Sequence, residues 1–410
     1  MKKRNTKHEK RLKRLVITCL LCAIILSVST YAWFIGMKTV SVNAFEVNIK
    51  TTESLMLSLD GYNWSYNLDV NETTIKPEKY ATHQNSWGGA EGLIPMSSIG
   101  EINTTKNKMT LYEKGSLTAT DGGYRLLASE VTNTADKEKD GYVAFDLFIR
   151  NLSGDKYYSE LGDNEEAIYL IPESEVTVGD AGKVNAGIEN SVRVAFAQIG
   201  RVQNYTNAKG SEEEAKLVQG ITCTDDSSKK ITGICASRPA TIWEPNDTKH
   251  VQNAINWYNE SCNKRDETGK YLGTACNEVK DGTHYETYAV AKEITAGGVD
   301  VYDGTAYNTY TTNVGDDKPL FNVDTFTDSE KNAKGTARPE FFTLAPNSIT
   351  KVRVYVYIEG QDVDNYDFAS LGQAIKVSFG FTKERFYGED VNYDQDPALP
   401  EGLQTRESAE

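Results

Sequence analysis

The chain has 410 residues, a formal net charge of −15, 23 tyrosines and only ten prolines. Eight of the 44 basic residues and one of the 59 acidic ones lie in the first 32 positions, leaving 36 basic against 58 acidic residues, a balance of −22. That balance argues against binding to nucleic acid or to an anionic membrane surface, and the tyrosine-rich, proline-poor makeup argues against a disordered chain. The length allows one large domain or two ordinary ones.

Residues 1–32 read as an export signal. Lys2, Lys3, Arg4, Lys7, Lys10, Arg11, Lys13 and Arg14 precede an apolar run, Leu15–Val28, and Thr30-Tyr31-Ala32 offers small residues at the first and third positions before a cut between Ala32 and Trp33. Extended through Ile35, the apolar run reaches about 20 residues, long enough to span a bilayer. Residues 1–32 are therefore either a cleaved signal peptide or a membrane anchor using residues 15–35. On either reading the basic flank places the body outside the cytoplasm, in the medium or on the cell surface.

A strand pattern follows at once. Val40, Val42 and Ala44 share one phase and Phe45, Val47 and Ile49 the other, so a β-bulge or a strand that changes sheets is expected near Ala44. The simple reading is the first strand of the body. The sharper one is a donor strand, with Val40, Val42, Phe45, Val47 and Ile49 completing the sheet of a neighbouring copy. Next, "SLMLSLDGYNWSYNLDV" sets Leu55, Leu57 and Leu59 against Trp64, Tyr66, Leu68 and Val70 around Asp60-Gly61, which predicts a hairpin. Period-two patterns recur in "YVAFDLFIR", "SVRVAFAQI", "KVRVYVYIEG" and "AIKVSFGFT". In "KVRVYVYIEG", Val352, Val354, Val356 and Ile358 are expected to face the core, and Arg353, Tyr355 and Tyr357 to face out. The fold class is all-β: an antiparallel β-sandwich or jelly roll, its first part in 33–200 and its last strands in 339–387.

Between them, residues 201–338 are polar and read as an inserted subdomain with short helices. "SEEEAKLVQG" has Ser211 and Glu214 at capping-box spacing and stops at Gly220, and "NDTKHVQNAINWYNES" predicts a helix capped by Asn246 or Asp247. The insertion also holds Cys223, Cys235, Cys262 and Cys276, an even number in an exported body, which points to disulfides. Cys223–Cys235 and Cys262–Cys276 are the preferred pairs because each brackets a short polar, glycine-containing loop. A four-thiolate zinc site is the rival, weakened by the lack of any C-x-x-C. Residues 388–410 read as an acidic, flexible tail.

Of the four histidines none forms a recognised catalytic motif, and no nucleophile elbow or phosphate-binding loop is found, so a non-enzymatic role is expected. Two acidic clusters have oxygen ligands at alternate positions: Asp362, Asp364 and Asp367, and Asp390, Asn392, Asp394 and Asp396. The second is the calcium candidate, though both lack the turn glycine and distal glutamate of an EF-hand, and solvated acidic loops are the simpler reading. No other cofactor is expected.

The basic segment, short apolar run, "TYAWF" and following extended apolar segment resemble exported Gram-positive proteins of the TasA/camelysin type, over residues 1 to about 60. The resemblance implies release after Ala32 by a SipW-like signal peptidase, a jelly-roll body, and biofilm-matrix fibres built by N-terminal strand donation. The cysteine-bearing 201–338 segment departs from that family. The alternative is a membrane-anchored adhesin whose aromatic side chains, with Trp64, Trp87, Trp243 and Trp257 as candidates, stack on glycan or protein ligands.

Overall fold

The computed structural model describes residues 42–51, 54–71, 74, 86–87, 93–120, 123–130, 141–162, 164–179, 186–205, 210–246, 248–262, 280–282, 340–360, 362–366 and 373–385. The strands, in chain order, are β1 (Val42–Thr51), β2 (Leu55–Ser58), β3 (Asn67–Val70), β4 (Ser86–Trp87), β5 (Met96–Ser97), β6 (Ile102–Asn103), β7 (Lys108–Met109), β8 (Tyr112–Thr120), β9 (Gly123–Glu130) and β10 (Tyr142–Asn151). They continue with β11 (Glu166–Leu170), β12 (Glu175–Val178), β13 (Val192–Gln203), β14 (Thr232–Gly233), β15 (Thr241–Trp243), β16 (Phe342–Leu344), β17 (Ser348–Ile358) and β18 (Gln373–Thr382). Among the described residues, the helices α1 (Glu212–Gln219) and α2 (Gln252–Cys262) lie between β13 and β16.

The strands form an antiparallel β-sandwich. Sheet I has the order β16-β11-β18-β1-β3, with β12 also on β18; sheet II has the order β14-β13-β17-β10-β2, with β15 on β13 and β4 on β10. Among the described strands β1 lies beside β18 in parallel, first strand against last. The alternation of branched and aromatic residues drives the assembly, since every second side chain reaches the same face. Val143, Phe145, Leu147 and Ile149 of β10, Val192, Val194 and Phe196 of β13, and Val352, Val354, Val356 and Ile358 of β17 meet Val47, Ile49, Ile168, Ile375, Val377, Phe379 and Phe381 of sheet I in one core. Phe196 is its hub, edge-on to Phe341, Phe379 and Phe381 at centroid distances of 5.0, 5.1 and 5.7 Å.

A third layer lies on the far side of sheet II. Met96, Met109, Leu111, Val218, Ile221, Cys223, Ile231 and Cys235 pack against Ala144, Phe148, Ala195, Ala197, Tyr355 and Tyr357. Arg353, Tyr355 and Tyr357 therefore point away from the sandwich core, as their phase requires, but are buried rather than solvent-facing. All ten residues of β10 and all eleven of β17 are buried. The cover approaches closely at Gly200, beside a register shift in β13: a Cβ there would lie 2.7 Å from both Ile221 Cγ2 and the Thr222 carbonyl.

The predicted hairpin around Asp60-Gly61 forms differently. β2 joins sheet II and β3 joins sheet I, and only Leu57 and Ser65 bridge between the two runs. The connection is a side-chain-stapled loop: Asp60 Oδ1 accepts from the backbone N–H groups of Tyr62 and Asn63 at 2.9 and 2.7 Å, and Gly61 takes φ +69°. The first run buries Leu55 and Leu57 from sheet II and the second buries Val70 from sheet I, while Tyr66 stays exposed. The helix over 212–219 has the expected capping box, Ser211 Oγ accepting from Glu214 N and Glu214 Oε2 from Ser211 N, and it stops at Gly220. The helix predicted after Asn246 begins later, at Gln252. Asn246 instead donates to the Val176 and Glu189 carbonyls. Asp364, distant in sequence, takes the helix-entry N–H of Val251 at 2.9 Å.

Candidate functional site

The N-terminal strand is the element around which the functional reading turns. β1 sits inside sheet I, paired in parallel with β18 from Val42↔Gln373 to Thr51↔Phe381 and antiparallel with β3 from Val47↔Val70 to Lys50↔Asn67. The expected irregularity falls between Val42 and Ala44, where the register with β18 shifts. Val47 and Ile49 are buried in the sandwich core, while Asn48 and Lys50 lie on the outer face. Asn48 Nδ2 donates to Asp69 Oδ1 at 2.5 Å, fixing register against β3. Val42 and Phe45 are placed in the strand by backbone pairing. Ala32, Trp33 and Val40, together with the whole of residues 1–41, lie outside the described residues. Among the described residues no helix is long and apolar enough to cross a membrane.

The predicted cysteine pair Cys223–Cys235 is a disulfide, with Cα atoms 5.2 Å apart. It closes a loop ordered by Asp226, whose Oδ1 accepts from Ser228 N and Oγ. Hydrogen bonds from Ser228 and Lys229 hold the Asp226 carboxyl down to about 2. Cys223 N donates to Asn107 Oδ1 at 2.8 Å, joining the loop to the turn between β6 and β7. The Cys262 side chain and Cys276 lie outside the described residues, as do Asp367, Asp390, Asn392, Asp394 and Asp396. Among the described residues no group of three or more His, Cys, Asp or Glu side chains is arranged to hold a metal.

The other acidic cluster is not the solvated loop expected. Asp362 pairs with the fully buried Arg193 guanidinium at 2.8 Å, and Glu244 pairs with the same group. Burial pushes the Asp362 carboxyl up, against the pull of Arg193. Asp364 is completely buried and its Oδ2 lies 2.8 Å from His250 Nδ1. This pair backs a cleft of about 500 Å³ lined by Glu189, Asn190, Lys249, His250, Val251, Gln252, Asn253 and Asp281. Burial raises the Glu189 carboxyl, with Asp364 adding to the effect against backbone hydrogen bonds from Glu189 and Gly187, and Glu189 Oε2 has no hydrogen-bond partner among the described residues. The described lining brings together Glu189, Lys249, His250 and Asp281, polar groups that can hydrogen-bond a small polar ligand. Sequence reasoning missed it because its parts come from segments more than 100 residues apart. The only local signal was the alternate-position spacing of Asp362 and Asp364.

Of the tryptophans proposed for stacking, Trp243 is buried in the sandwich core, Trp64 packs against Tyr205 and Arg150, and Trp257 is exposed. The Trp87 side chain lies outside the described residues. Compared with family models, with curated proteins and with solved structures, the chain matches none.

Proposed function

We propose that this is an exported, non-enzymatic structural protein of the cell surface or extracellular matrix, of the TasA/camelysin kind, which assembles by lending its N-terminal strand to a neighbouring copy. The observation that carries the reading is the seat of β1, the first described strand, held on both edges by main-chain pairing in the middle of sheet I. Taking it away would expose the edges of β18 and β3 and open a slot where Val47 and Ile49 sit, and an identical strand from the next copy would restore both. Three residues separate Thr51 from Leu55 at the start of β2. The leader supplies the free end: a signal peptidase cuts after Ala32, and residues 15–35 hold the chain to the membrane beforehand.

The test uses a chain lacking residues 33–51 and a synthetic peptide of residues 38–51. Binding of one peptide per chain, with recovery of the folded β spectrum, is the expected result. A truncated chain that folds fully and takes up no peptide contradicts the reading. A second reading, a surface adhesin, draws on the exposure of Tyr62, Tyr66 and Trp257 at 39, 46 and 40 %. An adhesin would keep its ligand binding when β1 is locked in its own sheet, whereas a fibre would not form.

A further inference from the structure

Asn151 ends β10 of sheet II, Glu166 opens β11 of sheet I, and Lys383 follows β18 of sheet I. Their side chains meet where the two sheets come together. Lys383 Nζ lies 2.7 Å from Asn151 Oδ1, 2.7 Å from Ser153 Oγ and 3.0 Å from Glu166 Oε2. The same glutamate oxygen accepts from Asn151 Nδ2 at 2.6 Å and from the Ser153 hydroxyl. Asn151 is completely buried. Its Oδ1 accepts the backbone N–H of Ser153 at 3.2 Å, its Nδ2 also donates to the Ala345 carbonyl at 2.9 Å, and Ser153 Oγ is 2.9 Å from its Oδ1.

An ordinary ion pair needs only a lysine and a carboxylate. Here an amine is placed against a primary carboxamide, and one carboxylate oxygen touches both the amine and the amide nitrogen. Those are the parts needed to exchange one amide nitrogen for another: an amine nitrogen 2.7 Å from the acyl oxygen, a shared base and acid, and donors on the carbonyl oxygen where negative charge develops. We propose that Lys383 and Asn151 form an intramolecular isopeptide bond, promoted by Glu166.

Glu166 takes a proton from the Lys383 ammonium. The freed Nζ lone pair forms a bond to Asn151 Cγ, and the carbonyl electrons move onto Oδ1, held by the Ser153 N–H. As the carbonyl re-forms, the Cγ–Nδ2 bond breaks with its electron pair left on nitrogen. Glu166 delivers its proton there, and the second proton from Nζ follows. Lysine ammonium and carboxamide become a secondary amide and ammonium, with no redox change and no other reactant. Burial raises the Glu166 carboxyl, but hydrogen bonds from Asn151, Ser153 and Lys383 outweigh it, and the net shift is downward, leaving the base form in place at neutral pH. The bond would tie sheet I to sheet II covalently and would anchor the end of β18, the strand that holds β1.

The test is the intact mass of the full-length, reduced protein, followed by peptide mapping. The expected mass is lower than the sequence mass, after any leader processing, by one ammonia. One linked peptide pair should carry both Asn151 and Lys383 in place of the two linear peptides. Lys383→Arg should restore the full mass and abolish the linked pair, and Glu166→Gln should leave a folded chain with little linked product. A wild-type protein of full sequence mass overturns the proposal. So does a deficit of one ammonia with all peptides linear, which would mark cyclisation at a single residue instead.

Discussion

Sheet I and sheet II carry similar alternating patterns but meet different surroundings. The outer face of sheet I presents Lys50 and Lys376 to solvent. The outer face of sheet II carries charge at equivalent positions, yet Asp146, Lys351 and Arg353 are all buried beneath the third layer. There Arg353 clasps Asp146 through Nε at 2.7 Å and its terminal nitrogen at 3.0 Å, and Lys351 Nζ lies 3.3 Å from the same carboxylate. Lys351 also donates to the carbonyls of Gln219 and Ile221, and Arg353 to that of Asn107, so these cations fasten the cover to the sheet. The lesson is that charge at alternate positions marks a face turned from the main core, and whether that face meets water depends on what the rest of the chain lays over it.

The difference can be broken most forcefully at its centre. Asp146→Ala leaves Arg353 and Lys351 buried without their carboxylate and should cost about 3–5 kcal/mol in urea unfolding. A cost under about 1 kcal/mol would mean that water reaches this face. Reducing Cys223–Cys235, or replacing both cysteines by serine, should cost about 2–4 kcal/mol by loosening the cover. Glu165 clamps Arg201 and Arg238, each at 2.6 Å. Burial raises its carboxyl, hydrogen bonds from Thr343, Arg201 and Arg238 more than offset this, and the net shift is downward. A depressed folded pKa gives stability that is present above the unfolded carboxylate value and lost as pH falls through the folded one. Glu165→Gln should therefore cost about 1.5–3 kcal/mol at neutral pH, and the gap to wild type should close in acid. Ser211→Ala removes one capping bond of α1 and should cost about 1 kcal/mol. Lys376→Ala, on the outer face of sheet I, should stay within about 0.5 kcal/mol, as an exposed position does.

Much of the fold was legible because it is local. Period-two runs placed β10, β13, β17 and β18, the spacing of Ser211 and Glu214 placed the start of α1, and the polar loop between Cys223 and Cys235 marked their pairing. What the sequence hid is where separate segments meet. Asp60-Gly61 has the residues of a tight turn, but the strands it joins find better partners in opposite sheets. Asn246 has the chemistry of a helix cap, but it is spent on the Val176 and Glu189 carbonyls, and Asp364 enters from more than 100 residues away. The contact of Asn151 with Lys383 spans 232 residues, and nothing in Asn-Leu-Ser announces a lysine partner. For the candidate site, the alternation of Val47 and Ile49 was readable, but the identity of β18 and β3 as its neighbours was not.

The strand-exchange account is tested most directly by a cross-link across the β1–β3 register. Asn48 and Asp69 face each other with side chains in contact, so the pair N48C and D69C can be oxidised in assembled material. If β1 is lent to the next copy, non-reducing gels will show a ladder of linked chains, absent in either single-cysteine variant. If every cross-link closes within one chain while the material remains assembled, β1 belongs to its own sheet and the assembly account is wrong.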